Sequence, residues 1–149
     1  MLLLNSVVQC LNFKRIYQIQ LYNEHPHEIQ NEVLFSLLKS AKETEWGIAH
    51  NYDKIASTHD FKNAVRLQEY NDIKPFVERM REGEKNLLWP GEVKWFAKSS
   101  GTTSDKSKFI PVTKASLEDC HMLGPKDVVA PLLKNFPENK TLKGKTLPP

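Results

Sequence analysis

Apolar residues recur at helical spacing through the first half of the chain. Leu4, Val7, Val8 and Leu11 share one face of a helix that the pattern continues through Ile16 and Ile19. Pro26 suits the first turn of a second helix, and Val33, Leu34, Leu37, Leu38 and Ala41 keep the same period. Ser57 or Thr58 can cap a short third helix through Phe61, Ala64 and Val65. Asn71 or Asp72 opens a fourth, with Ile73, Phe76, Val77 and Met80 on one face and Gly83 just past its end. Such stripes are ordinary packing faces and say nothing about ligands.

The period then changes. Val93-Lys94-Trp95-Phe96-Ala97 and Phe109-Ile110-Pro111-Val112 are rich in aromatic and β-branched residues and read as two strands. Alternation puts Val93, Trp95 and Ala97 on one face and Lys94, Phe96 and Lys98 on the other. Beyond the hairpin, Thr113 can cap a helix containing Leu117 and Cys120. Val128, Val129, Leu132, Leu133 and Phe136 continue the helical spacing. Gly124-Pro125 is expected to break the two helices, and Pro131 to strain or kink the second. The tail from Asn135 reads as loop. The expected class is α/β, α+β for this stretch alone: a helical segment over 1–90, a hairpin over 91–113, then a helical segment and tail over 114–149.

Between the strands lies the run Ser99-Ser100-Gly101-Thr102-Thr103-Ser104-Asp105-Lys106-Ser107-Lys108. Backbone N–H groups near a glycine, hydroxyl donors and a lysine are the groups that hold phosphate. The run is not a Walker A loop, which needs glycine directly before the lysine and a helix directly after it. Here Ser107 precedes Lys108 and a strand containing Pro111 follows. Read from residue types alone, a solvated hairpin loop is the better fit, since Ser, Thr, Gly and Lys are common there.

Charge adds a local emphasis. The net charge of +3 is small, which argues against a general nucleic-acid binder. Lys94, Lys98, Lys106, Lys108 and Lys114 are nevertheless expected around the loop, against Asp105. Cys10 and Cys120 form no CxxC pair, read as small core residues and suit a reduced, cytoplasmic protein. Met1-Leu2-Leu3-Leu4 lacks the charge order of a signal peptide, and no apolar run is long enough to span a membrane. The five histidines show no metal-ligand spacing: His25 and His27 read as a surface pair and His121 as a partly buried helix residue. Trp46, Trp89 and Trp95 read as core anchors. Glu118 and Asp119 are adjacent, point to different sides of a helix and form no acid–base dyad.

The loop with its surroundings resembles the auxin-responsive acyl-acid amido synthetases of the adenylate-forming superfamily, in bacterial-type form. The likeness rests on Ser99-Ser100-Gly101-Thr102-Thr103 followed by Lys108-Phe109-Ile110-Pro111, and on the approach Leu87-Leu88-Trp89-Pro90-Gly91-Glu92. Asn5-Ser6-Val7-Val8, Ala41-Lys42-Glu43-Thr44-Glu45-Trp46-Gly47 and Leu117-Glu118-Asp119-Cys120-His121 extend it over nearly the whole chain. The sequence departs at Ser104 and Asp105, where many members carry glycine, and at Ser107, where many carry proline. The resemblance implies an ATP- and Mg²⁺-dependent ligase that adenylates a small-molecule carboxylic acid and passes the acyl group to an amine such as an amino acid. It implies that Ser99, Ser100, Thr102 and Thr103 bond the β- and γ-phosphates, that Gly101 allows close approach, and that Lys108 stabilises the departing pyrophosphate. No catalytic side chain and no protein metal ligand are expected.

The family is several times longer, and two strands alone make a marginal sheet, so the chain reads as an inactive N-terminal portion. The competing readings are a nonenzymatic helical interaction module whose loop faces solvent and a nucleic-acid-contacting protein that uses the lysine cluster.

Overall fold

The computed structural model describes residues 2–99 and 107–136, and for residues 2–12 the backbone alone. The elements are α1 (Leu2–Glu24), α2 (Pro26–Ala41), α3 (Glu45–Ala49), a 3-10 turn (Tyr52–Lys54), α4 (Thr58–Ala64) and α5 (Tyr70–Arg81). Then come β1 (Trp95–Lys98), β2 (Phe109–Val112), α6 (Lys114–Ser116), a π-helical turn (Leu117–His121) and α7 (Leu123–Asn135). Among the described residues the protein is therefore helical with one antiparallel two-stranded sheet, an α+β arrangement. Among the described residues no helix is long and apolar enough to cross a membrane.

The chain divides into two compact units, one containing α1 and α7 and the other running from His27 to Ser116. In the first, Ala130 and Leu133 of α7 are buried. The Arg15 side chain of α1 reaches both carboxylate oxygens of Asp127, one at 2.8 Å, and also donates to Gln18 and Tyr22. This guanidinium holds the Asp127 carboxyl below the usual carboxylate range. Gly124-Pro125 does not form the expected break. Met122 precedes α7, so Pro125 falls in the first helical turn, where its missing N–H costs no bond. Pro131 is carried within the helix.

The second unit is organised on α3, which the apolar pattern did not reveal. Every N–H of its first turn has a partner: Glu45 donates to Asn86 O (2.8 Å), Trp46 to Leu87 O (3.0 Å), and Ile48 to Thr44 O (2.9 Å). Gly47 donates to Thr44 Oγ1 at 3.0 Å, while that buried hydroxyl donates to Ala41 O at 2.7 Å. The connection after α5 is thus bonded to the start of α3. Asn86 adopts a left-handed backbone (φ 57°), and its Oδ1 accepts from Gly91 N at 2.7 Å. Leu87 enters the core with Met80 and Val93, and Phe76, Leu88 and Phe96 pack around them. Arg79 binds both oxygens of Glu45 and those of Glu84, which keeps both carboxyls low. Trp46 stacks on His50 and meets Phe76 edge-on.

Several expectations hold in outline and shift in detail. Ser57 caps α4 by accepting from Asp60 N, and Thr113 accepts from Ser116 N at the start of α6. α5 starts at Tyr70 rather than at Asn71 or Asp72, because Asp72 reaches back to accept from Glu69 N at 2.8 Å. The strands form as expected, with Trp95 opposite Val112, Phe96 opposite Pro111, Ala97 opposite Ile110 and Lys98 opposite Phe109. Val93, however, is buried whereas Trp95 (58% exposed) and Ala97 are not. Val93 precedes the strand, so period-two alternation does not extend back to it. Trp95 is therefore no core anchor: Phe96 joins the core from the opposite face of the sheet. Cys120 and His121 are exposed on the π-helical turn, contrary to their core and half-buried readings, and Val33 and Leu37 of the α2 stripe are also exposed. The side chain of Cys10 lies outside the described residues.

Two tests follow from this packing. A Cβ on Gly47 would stand 2.1 Å from the Ala41 carbonyl oxygen, a backbone atom fixed by α2. Gly47→Ala is expected to lower stability by at least about 2 kcal/mol, read as an earlier denaturant midpoint. The depressed Asp127 carboxyl stabilises the fold above its unfolded pKa, and that contribution disappears as pH falls through the still lower folded value. Asp127→Asn should cost less than about 1 kcal/mol at neutral pH because the pair is partly exposed. The gap in melting temperature between wild type and variant should close below about pH 4.

Candidate phosphate-loop site

The mouth of the loop is closed by two hydrogen bonds. Ser99 N donates to Lys108 O at 2.9 Å, and Lys108 N donates to Ser99 Oγ at 3.1 Å. The Ser99 hydroxyl accepts in this bond and keeps its own hydrogen for donation. Of the six residues expected to bind phosphate, Ser99 and Lys108 therefore stand side by side where the strands end. Ser100, Gly101, Thr102 and Thr103 lie outside the described residues, as do Ser104, Asp105 and Lys106.

Beside this mouth is a cleft of about 730 Å³ between α5 and the hairpin. Tyr70, Lys74, Glu78 and Arg81 line it from α5, and Lys98 and Lys108 from the strand ends. Among the described residues its charged lining is thus four cations and one carboxylate, and that carboxylate is paired with Lys74 at 3.6 Å. The surplus is positive. In a concave site such a surplus focuses field toward an anion.

Three of these cations are tied to α5: Lys74 and Arg81 belong to it and Lys108 contacts it. Tyr70 Oη accepts from Phe109 N at 3.0 Å and donates to Phe109 O at 3.3 Å. The Arg81 guanidinium lies 3.7 Å over the Phe109 ring, and Lys108 Nζ lies 5.6 Å from the centroid of Tyr70. Pro75 follows within the same helix and has no N–H to give to the carbonyl of Asn71, another lining residue.

The lysines expected to ring the loop do not all do so. Lys98 and Lys108 face the cleft, whereas Lys94 and Lys114 line a different concavity, about 290 Å³, with Trp89, Trp95 and Val112. Four strand residues span roughly 13 Å, which carries Lys94 and Lys114 to the far end of the hairpin. The sequence reading in turn missed Tyr70, Lys74 and Arg81. Positions 70, 74, 77, 78 and 81 do share one helical face, but that face was not connected with the loop. Among the described residues no group of His, Cys, Asp and Glu could hold a metal ion.

Comparison with known proteins bears on this geometry. A family model described as GH3 family N-terminal domain matches residues 15–148. The chain is similar to jasmonoyl–L-amino acid synthetase JAR6 of Nicotiana attenuata, with 31% identity over 96 residues, 61% of this chain and 16% of that protein. It is also similar to two indole-3-acetic acid-amido synthetases of Arabidopsis thaliana. GH3.2 is 26% identical over 111 residues (74% of this chain, 20% of that protein), and GH3.17 is 32% identical over 92 (60% and 15%). The chain spans about a fifth or less of the length of these relatives.

Proposed function

The chain belongs to the GH3 family, and on that premise we propose that it is the N-terminal, phosphate-binding portion of an ATP-dependent acyl-acid amido synthetase in the adenylate-forming superfamily. The observation that carries the reading is the paired mouth Ser99/Lys108 opening beside a cleft with surplus positive charge. Four cationic side chains suit a polyphosphate better than a neutral ligand. The named activities of the relatives, joining jasmonic or indole-3-acetic acid to amino acids, support a carboxylic acid and an amine as substrates. A reduced, cytoplasmic setting is part of the same reading.

In the proposed reaction, a carboxylate oxygen of the acid attacks the α-phosphorus of ATP. The bond to the bridging oxygen breaks, its electron pair leaves with pyrophosphate, and an acyl-adenylate remains. An amine nitrogen then attacks the acyl carbon, AMP departs with the C–O bonding pair, and the amine proton passes to solvent or a base. This chain's part is the phosphate end. Ser99, Ser100, Thr102 and Thr103 donate to the phosphate oxygens, Gly101 permits their close approach, and Lys108 stabilises charge on the leaving pyrophosphate. Mg²⁺ would be bound with the nucleotide and would neutralise charge on its phosphates. The acid- and amine-binding residues belong to the remainder of the synthetase, so the chain by itself is inactive.

Lys108→Ala in the full-length synthetase tests the assignment. A charge-assisted contact is worth about 1.5–3 kcal/mol, so carboxylate-dependent pyrophosphate exchange is expected to slow roughly ten- to a hundredfold. The melting temperature should change little, since Lys108 is exposed. Exchange at the wild-type rate, or a variant that unfolds, rejects the role given to this lysine.

A further inference from the structure

We infer that Tyr70 is a positioning residue for Lys108: its phenol fixes the backbone of β2 one residue beyond the lysine, and its ring sets the path of the lysine side chain. The inference rests on the reading of Lys108 as a phosphate-binding group.

The pairing of the hairpin makes the case. Ser99 and Lys108 are bonded to each other across the strands, so the alternation of an antiparallel pair turns the N–H and C=O of Phe109 toward the outer edge of β2. Those two groups would ordinarily meet a third strand or water. Here one hydroxyl serves both, accepting from Phe109 N at 3.0 Å and donating to Phe109 O at 3.3 Å. A phenol is suited to this because its oxygen accepts while its hydrogen donates. Phenylalanine could do neither.

The same residue touches the lysine directly. Lys108 Nζ lies 5.6 Å from the ring centroid, within the range of a cation–π contact. Lysine carries a flexible stem with several rotamers, and a ring beneath its ammonium narrows them. Arg81, one helical face along from Tyr70, stacks on the Phe109 ring from the same helix. α5 therefore grips the first residue of β2 by main chain and side chain, and the lysine just before it inherits that placement. Tyr70 is half-buried in the cleft wall, and among the described residues its hydroxyl bonds to nothing but Phe109.

The test is a double-mutant cycle in the full-length synthetase, with Tyr70→Phe, Lys108→Ala and the pair, read by carboxylate-dependent pyrophosphate exchange. Tyr70→Phe keeps the ring and removes both bonds. It is expected to lower kcat for exchange about tenfold while leaving KM for ATP within about twofold, because the lysine acts on charge that develops in the transition state. In the Lys108→Ala background the same change should cost less than about twofold, since the group that Tyr70 serves is gone. Tyr70→Leu, which also removes the ring, should be slower than Tyr70→Phe. An undiminished Tyr70→Phe effect in the Lys108→Ala background overturns the inference, as does a variant lost through early melting, for then the phenol is a structural bond alone. A slow Lys108→Ala enzyme beside a wild-type Tyr70→Phe enzyme rejects the positioning role and leaves the phosphate-loop reading intact. Wild-type exchange by Lys108→Ala rejects that underlying reading instead.

Discussion

A helix start leaves its first N–H groups without intrahelical acceptors, and in α3 two of those donors take the carbonyls of Asn86 and Leu87. The rest of the second unit depends on this. A long connection between α5 and β1 would otherwise cover the surface with no fixed path. With its carbonyls bonded to Glu45 and Trp46, its turn held by Asn86 on Gly91, and Leu87 1% exposed in the core, it leads Val93 and then Phe96 to fixed places. Apolar burial supplies the bulk of the stabilisation, and the hydrogen bonds decide which backbone atoms lie where. Gly47 is the point at which that arrangement admits no side chain, because the Ala41 carbonyl fills the space.

From there α5 takes two roles on two faces. Phe76 and Met80 face the core, with Met80 buried. Tyr70, Lys74 and Arg81 turn to the cleft. The helix that builds the hydrophobic centre is thereby the same one that presents cations beside the loop. Packing of the first face sets the position of the second, so the cleft charge that Lys74 and Arg81 supply is carried on a helix. The Arg79 network with Glu45 and Glu84 ties the last turn of the helix to α3, although its exposure limits what it adds to stability.

The sequence was most legible where one signal acts locally. The spacing of Val33 to Ala41, the Ser57 and Thr113 caps, Gly83 beyond α5 and the two strands all rest on near neighbours, and all are present. α3 was not legible because five residues give too short an apolar period. Its stability comes from acceptors some forty residues away. The exposure of Trp95, Cys120 and His121 was misread for a related reason: residue type reports what a side chain prefers, and cover depends on which elements arrive. The loop lysines divide the same way. Lys98 and Lys108 line one cleft because both lie at the loop end of the paired strands, whereas Lys94 and Lys114 share only their charge and lie at the other end of the hairpin.

A two-stranded hairpin is marginal by itself, and a phosphate loop between two such strands would have to order its own ends on every binding event. The structure removes part of that cost in advance. Ser99 and Lys108 close the eight-residue span between them through two hydrogen bonds, and Tyr70 and Arg81 attach the strand beyond to α5. Both Ser99 and Lys108 are thereby ordered before any ligand arrives. The lysine gains most from this scheme. In the role proposed for Lys108, a charge on a long flexible stem stabilises a leaving group only to the extent that it is already there when the charge develops, and the ring and hydroxyl of one tyrosine contact both the stem and its backbone.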